Sequence, residues 1–181
     1  MKNQFLINKS SYMIIGFILL ALLSSSCTSE DGQDDQDDSD GYKISLKVDG
    51  VLWEFKNPDF PPFGSFADNG VQYSGSFSGT GQASSVGIQV YDTKPIVVNV
   101  NYDGLVVTAT AAGNTLFGSI VSFADSQKSY TTQNGTNQTV HVKFTELTAN
   151  HARGEFSGKL KLQGGTQEVT VIEGKFYVEV R

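Results

Sequence analysis

Residues 43–55 read KISLKVDGVLWEF. The first half alternates polar and apolar at period 2, the signature of a strand with one buried face. Asp49-Gly50 then supplies the positive φ values that a two-residue hairpin turn requires, and the apolar run VLWEF follows. The same grammar recurs twice. Asp103-Gly104 lies between IVVNVNY and LVVTAT, and Gly164-Gly165 lies between FSGKLKL and QEVTVI. Three hairpin signals within 140 residues, with no sustained helical period, predict an antiparallel all-β domain. Further strands are expected near 71–77, 85–91, 116–123 and 138–147. Roughly ten short strands imply a β-sandwich or a closed, barrel-like domain.

The phase of the apolar residues adds detail. Val140, Val142 and Phe144 share one face, opposite His141 and Lys143, and Phe156, Leu160 and Leu162 share another. In the last strand Val169 and Val171 have odd parity but Phe176, Val178 and Val180 have even parity. A strand cannot change faces unaided, so one extra residue must enter near Ile172-Glu173-Gly174, with Gly174 the expected bulge.

The chain upstream has a different composition. Lys2 and Lys9 precede an apolar run of 11 residues, Met13 to Leu23. That is too short for a bilayer-spanning helix, which needs about 20 residues, but has the proportions of a secretory leader over residues 1–26. Ser25-Ser26 and the single cysteine, Cys27, follow. Secreted proteins use cysteines in pairs, so an odd one suggests a special role. Small residues before a lone cysteine resemble a bacterial lipobox, which implies that the Cys27 thiol carries lipid and holds the mature protein at a membrane. Ser24 stands where lipoboxes usually carry Leu, which bears on the cleavage register. Residues 27–41 then form an acidic tether containing Glu30, Asp31, Asp34, Asp35, Asp37, Asp38 and Asp40. With almost no apolar content it cannot bury enough surface to fold. As a calcium loop it fails, because Lys47 would occupy the twelfth position, where the motif needs Glu.

Residues 42–181 are the folded domain. The leader holds two of the 13 basic residues and the tether seven of the 19 acidic ones, leaving 11 against 12. No basic field remains to track phosphates, so nucleic acid is not an expected partner.

The C-terminal stretch runs VHVKFTEL, GEFSGKLKL and VTVIEGKFYVEV. Together with the leader it resembles a group of small Bacteroidota surface lipoproteins of unknown function, with a β-rich C-terminal domain. The acidic stretch after Cys27 resembles their export signal. The resemblance implies an outer-membrane, surface-exposed lipoprotein and transfers no functional residues.

Catalytic chemistry is sparse. His141 and His151 are the only histidines, with no third ligand at zinc-binding spacing. They are read as lone surface residues, and no metal or cofactor is expected. GSFSG at 75–79 and GEFSG at 154–158 have Phe77 and Phe156 where a nucleophile elbow needs Ser, and the phase makes both rings core. Gly79-Thr80-Gly81 lacks the following helix and Lys of a phosphate loop. Hydrolysis would need carboxylates converging from distant strands.

The candidate binding residues are Trp53, Phe60, Phe63 and Phe66. The three Phe lie in NPDFPPFGSFADNG, residues 57–70, whose prolines argue against a helix or central strand. It reads as a long loop, and long loops in small domains are often functional. Exposed rings would stack on a sugar or cover an apolar pocket. Packed inward, they would plug one end of the fold, and three exposed Phe would otherwise make an apolar patch. The expected outcome is a split, with at least one ring buried and at least one partly exposed. Pro61-Pro62 should keep Phe60 and Phe63 out of a common pocket.

Three functions remain. A non-catalytic domain would bind an unknown glycan, protein or small apolar ligand. A lipocalin-like carrier would enclose an apolar molecule in a hollow barrel. A hydrolase would show a cleft with convergent titratable groups.

Overall fold

The computed structural model describes residues 41–111, 113–132 and 140–181. The leader, Cys27 and the tether to Asp40 lie outside the described residues. The described chain is all-β, with 12 strands in one mixed sheet. They are β1 (Lys43–Val48), β2 (Val51–Phe55), β3 (Phe63–Asp68), β4 (Tyr73–Thr80), β5 (Ser85–Asp92) and β6 (Asn101–Asp103). Then follow β7 (Val106–Thr110), β8 (Gly113–Ala124), β9 (Ser129–Thr131), β10 (His141–Leu147), β11 (His151–Leu162) and β12 (Glu168–Val180).

The pairings close a ring. β12 runs parallel to β3, and β3–β4, β4–β5, β5–β8, β8–β9, β9–β11 and β11–β12 are antiparallel. The long strands β11 and β12 make the corners. Along one edge β12 pairs first with β1 and then, at its end, with β3. Likewise β11 pairs with β10 over its first half and with β9 at its end. Splitting partners along one strand is how a sheet folds onto itself and removes its exposed edges.

The β1–β2 hairpin forms as expected. Asp49 and Gly50 both have positive φ, 47° and 84°, and Val48 faces Val51. Asp49 also ties the turn to β12, where the Thr170 N–H donates to its carboxylate at 2.7 Å. β11 and β12 are joined as a hairpin too, but Gly164-Gly165 belongs to a longer loop, in which the Leu162 N–H donates to the Gln167 carbonyl.

Asp103-Gly104 is not a hairpin turn. β6 pairs with β10 instead of β7, and Gly104 bridges Ser119 in parallel. The buried Ser119 hydroxyl donates to the Tyr102 carbonyl at 2.6 Å, and Leu105 is drawn into the interior. Those contacts carry the chain straight through. The reversal comes later, where Thr110 faces Gly113 across β7 and β8. The expected loop over residues 57–70 is also corrected. The irregular stretch ends at Pro62, and residues 63–68 form a strand paired along its length with β4. All three prolines precede Phe63, so nothing after it forbids strand pairing.

The core follows from an unusual register. Gly64 faces Phe77, Gly75 faces Phe66, Gly154 faces both Phe144 and Phe176, and Gly174 faces Phe156. Each ring lies across the backbone of a glycine on the next strand. A Cβ on Gly64 would stand 2.1 Å from the Phe77 ring. Phe77, Phe144 and Phe176 meet inside the ring of strands with centroids 5.5–5.6 Å apart. The two motifs GSFSG and GEFSG are this arrangement written in sequence.

The parity change in β12 occurs where expected. Opposite the single residue Leu46, β12 places both Glu173 and Gly174. The left-handed residue, however, is Glu173, at φ 52°. Gly174 is needed for a different reason: a Cβ there would lie 2.4 Å from the Phe156 carbonyl oxygen. Left-handed backbone costs a non-glycine residue about 1–2 kcal/mol, and the exposed Lys47–Glu173 ion pair at 2.6 Å returns little of it. Adjacent substitutions should therefore act in opposite directions. Glu173→Gly is expected to be neutral or stabilising by about 0.5 kcal/mol, after allowance for unfolded-state entropy. Gly174→Ala is expected to destabilise by about 2 kcal/mol or more. Denaturant midpoints of the two variants check this.

Candidate functional site

Two concavities stand out, one polar and one apolar. The polar one is a groove of about 550 Å³ on the outer face of β1, β12, β11 and β10. Its floor is made by small residues, Ser45, Ser157 and Gly174, and its rim by charged ones. Two pairs of rim charges neutralise one another. Lys47 pairs with Glu173 at 2.6 Å, and Lys143 with Glu155 at 3.8 Å. A charged ligand would have to displace these pairs.

Register brings three chemically suggestive residues into one row of this face. Ser157 faces His141, and His141 faces Asp103. The His141 Nδ1 and an Asp103 carboxylate oxygen are 2.6 Å apart. That is the order of an acyl-transfer relay, but the environment is wrong for one. Asp103 and His141 are each about half exposed, 52% and 54%, so water competes at both groups. Such relays depend on a shielded acid and on preorganised oxyanion donors. The row reads as surface polar pairing.

In sequence both histidines read as lone surface residues, but each has a carboxylate partner. His151 Nε2 lies 2.9 Å from a Glu146 carboxylate oxygen, as His141 lies against Asp103. Six residues of β11 separate Ser157, opposite His141, from His151, roughly 20 Å of strand, so the two imidazoles do not converge on one ion. Among the described residues no group of three or more His, Cys, Asp or Glu is placed to hold a metal.

The apolar concavity is a pocket of about 360 Å³ at one end of the ring. Phe66 and Tyr73 form one wall, Pro95, Ile96 and Leu147 the other, and Asp68 stands at the rim. Its walls are fixed from several directions. The Phe66 ring meets the buried Phe77 edge-on, centroids 5.4 Å apart, and reaches Phe144 at 6.1 Å. Gly75 opposite lets it lie flat, since a Cβ there would be 3.0 Å from the ring. The Pro95-Ile96 segment is held by two bonds: the Val97 N–H donates to the Tyr102 hydroxyl at 3.0 Å and the Asn99 N–H to the Phe144 carbonyl at 2.8 Å.

Asp68 faces Tyr73 across the strands and accepts from the Gly70 N–H at 2.7 Å. The Asp68 charge pushes the Tyr73 phenol above its ordinary range, with desolvation and the hydrogen bond between the two adding to the shift. A pinned aromatic ring, aliphatic walls and a carboxylate at the edge are the parts of a small-ligand site.

The expected split among the three Phe is not found, because none is buried. Phe60 is 70% exposed, Phe63 45% and Phe66 38%. On the inward face Pro62 and Gly64 are buried, and Phe66, next in the alternation, touches Phe77 and Phe144 with its ring but stays partly open, so the three rings form no plug. Phe60 and Phe63 do share a cleft, contrary to expectation. It is a shallow one of about 140 Å³, in which Pro61 also takes part and the Arg181 guanidinium stands 5.1 Å from the centre of the Phe63 ring. A cleft that buries neither ring accommodates both despite the extended prolines. Trp53 is remote in role: half-buried on β2, it meets Phe123 edge-on at 5.0 Å. Of the four sequence candidates, only Phe66 lines the apolar pocket. Asp68, Tyr73, Ile96 and Leu147 were not foreseen. The Asp68-Asn69-Gly70 turn was the one local signal near them.

No family model, curated protein or solved structure matches this chain.

Proposed function

We propose that this chain is a cell-envelope lipoprotein, held at the outer membrane by lipid on Cys27, whose all-β domain binds a ligand without transforming it. The observation that carries the binding reading is the Phe66 ring. It is exposed on one side yet fixed by two core rings, and it walls a pocket of small-ligand size. Preorganised aromatic surface lowers the entropic cost of binding, so such a ring favours recognition. A lipocalin-like carrier would need its ligand space inside the ring of strands, where Phe77, Phe144 and Phe176 already touch. The reading therefore places binding at the mouth of the ring. It is favoured over hydrolysis because the row of Ser157, His141 and Asp103, where relay chemistry could arise, stands half in water.

Membrane attachment rests on the 11-residue apolar run, the small residues before Cys27 and the lack of a pairing cysteine. Each acyl CH₂ buried contributes about 0.8 kcal/mol, so several chains on one thiol hold a protein at a bilayer with no transmembrane helix. Replacing Cys27 with Ser should abolish labelling by radioactive palmitate and shift the protein from the membrane fraction to the soluble fraction. Equal sedimentation of variant and wild type with membranes would place the anchor elsewhere.

A further inference from the structure

We infer that the Phe66 pocket binds a carbohydrate, with the C–H face of one sugar ring stacked on Phe66 and its hydroxyls donating to the Asp68 carboxylate. This deepens the proposed binding function and rests on it.

Three observations select this ligand class. The first is the mixture of surfaces. A wholly apolar molecule would leave a carboxylate desolvated against it, which is costly. A sugar ring presents an apolar face and a polar edge at right angles, matching Phe66 and the aliphatic wall on one side and Asp68 on the other. The second is the capacity of Asp68. Its carboxylate accepts from the Gly70 N–H and from the Tyr73 hydroxyl, and a carboxylate has about four acceptor positions. Lone pairs therefore remain for neighbouring hydroxyls of one ring. The third is the pinning of Phe66. Stacking on a C–H face yields little per contact, so it depends on a ring that does not have to be ordered on binding. The edge contacts to Phe77 and Phe144 and the bare backbone of Gly75 provide that order in advance.

The competing site on this molecule is the charged groove, which suits an ionic ligand. Two of its cations, Lys47 and Lys143, are already matched by Glu173 and Glu155, whereas the outer part of Phe66 lies open to solvent. Gly75 is a positioning residue in this scheme, since it sets where the ring lies without lining the pocket.

The test uses the full-length protein in detergent on an array of plant, host and microbial glycans, followed by calorimetry with the strongest binder. Two variants separate stacking from stability: Phe66→Leu, which keeps most of the apolar volume, and Asp68→Asn, which keeps the turn acceptor. We expect each to weaken glycan binding about tenfold or more while the wild-type fold persists by circular dichroism. Phe66→Trp should retain binding. Glycan binding unchanged in both variants would overturn the assignment of the site. An empty array with binding of the apolar probe 1-anilinonaphthalene-8-sulfonate, lost in Phe66→Leu, would overturn the sugar but leave the pocket as a binding site. Absence of both would overturn the pocket itself.

Discussion

Phe144→Ala is expected to lower the melting temperature by about 10–20 °C, corresponding to roughly 3–5 kcal/mol at a few degrees per kcal/mol for a domain of this size. The ring is fully buried and contacts four other aromatic rings, Phe66, Phe77, Tyr102 and Phe176, with centroids 5.5–6.1 Å away. Tilted and edge-on ring pairs add about 0.5–1.5 kcal/mol each beyond area burial. Relaxation cannot refill the space easily. The residue facing Phe144 on β11 is Gly154, which has no side chain to move in. A loss of this size is a large part of the 5–15 kcal/mol that usually holds a domain together. Phe66→Ala removes a ring of the same kind but from a half-exposed position, and should cost about half as much or less. Thermal melts of the two variants give the comparison. A Phe144→Ala loss below about 2 kcal/mol would mean that the aromatic cluster is not the centre of the core.

The legible and illegible parts of this fold divide along the range of the interaction. Alternation in residues 43–48 and 140–144 and the parity change between Val171 and Phe176 are local, and each marks a buried face that the structure reproduces. Asp49-Gly50 is also local, since its turn joins strands that are neighbours in both chain and space. Asp103-Gly104 has the same two residues but a different outcome. Its fate is decided by β10, about 40 residues later, which captures β6, and by Ser119, which fastens Tyr102. No local pattern carries that information. The phenylalanine–glycine pairs lie between these cases. The composition of GSFSG and GEFSG was visible, but which Phe crosses which Gly depends on register, and register is a tertiary property.

The candidate site divides in the same way. Phe66 can be named from its stretch as a candidate binding residue, yet that stretch reads as a loop, and the pairing with β4 that fixes the ring is not visible in it. The remaining walls come from three separate segments: Asp68 and Tyr73 flank one turn, Ile96 belongs to an irregular crossing and Leu147 closes β10. An apolar residue at the end of a strand looks the same in sequence whether it finishes a core or opens a pocket. Ile96 and Leu147 each pack one side against the core and turn the other to the pocket, a division that only the tertiary structure makes.

Gly154→Ala is expected to be as damaging as losing a whole ring, although it adds a single methyl group. A Cβ at Gly154 would stand 2.3 Å from the Lys143 carbonyl oxygen and 2.4 Å from the tip of the Phe176 ring. The ring could swing aside at the cost of repacking, but the carbonyl belongs to the β10–β11 ladder and cannot. Overpacking a tight core costs about 1–3 kcal/mol when side chains can yield, and more when backbone must move. Here the strand pairing itself has to open, so about 3 kcal/mol or more is expected. The pair of contacts allows a sharper test. At Gly64 the encroaching atoms are mainly those of the Phe77 ring, at 2.1 and 2.6 Å, with the Ser76 carbonyl oxygen at 3.0 Å. Trimming the opposing ring should therefore rescue one glycine and not the other. Phe77→Leu combined with Gly64→Ala should be less destabilised than the sum of the two single variants, by about 1 kcal/mol or more of favourable coupling. Phe176→Leu combined with Gly154→Ala should show little coupling, because the Lys143 carbonyl remains in place. Denaturant unfolding of the two double-mutant cycles measures this directly. Equal coupling in both would mean that Gly154 is required only for its ring, and that the close approach of β10 to β11 does not limit the fold.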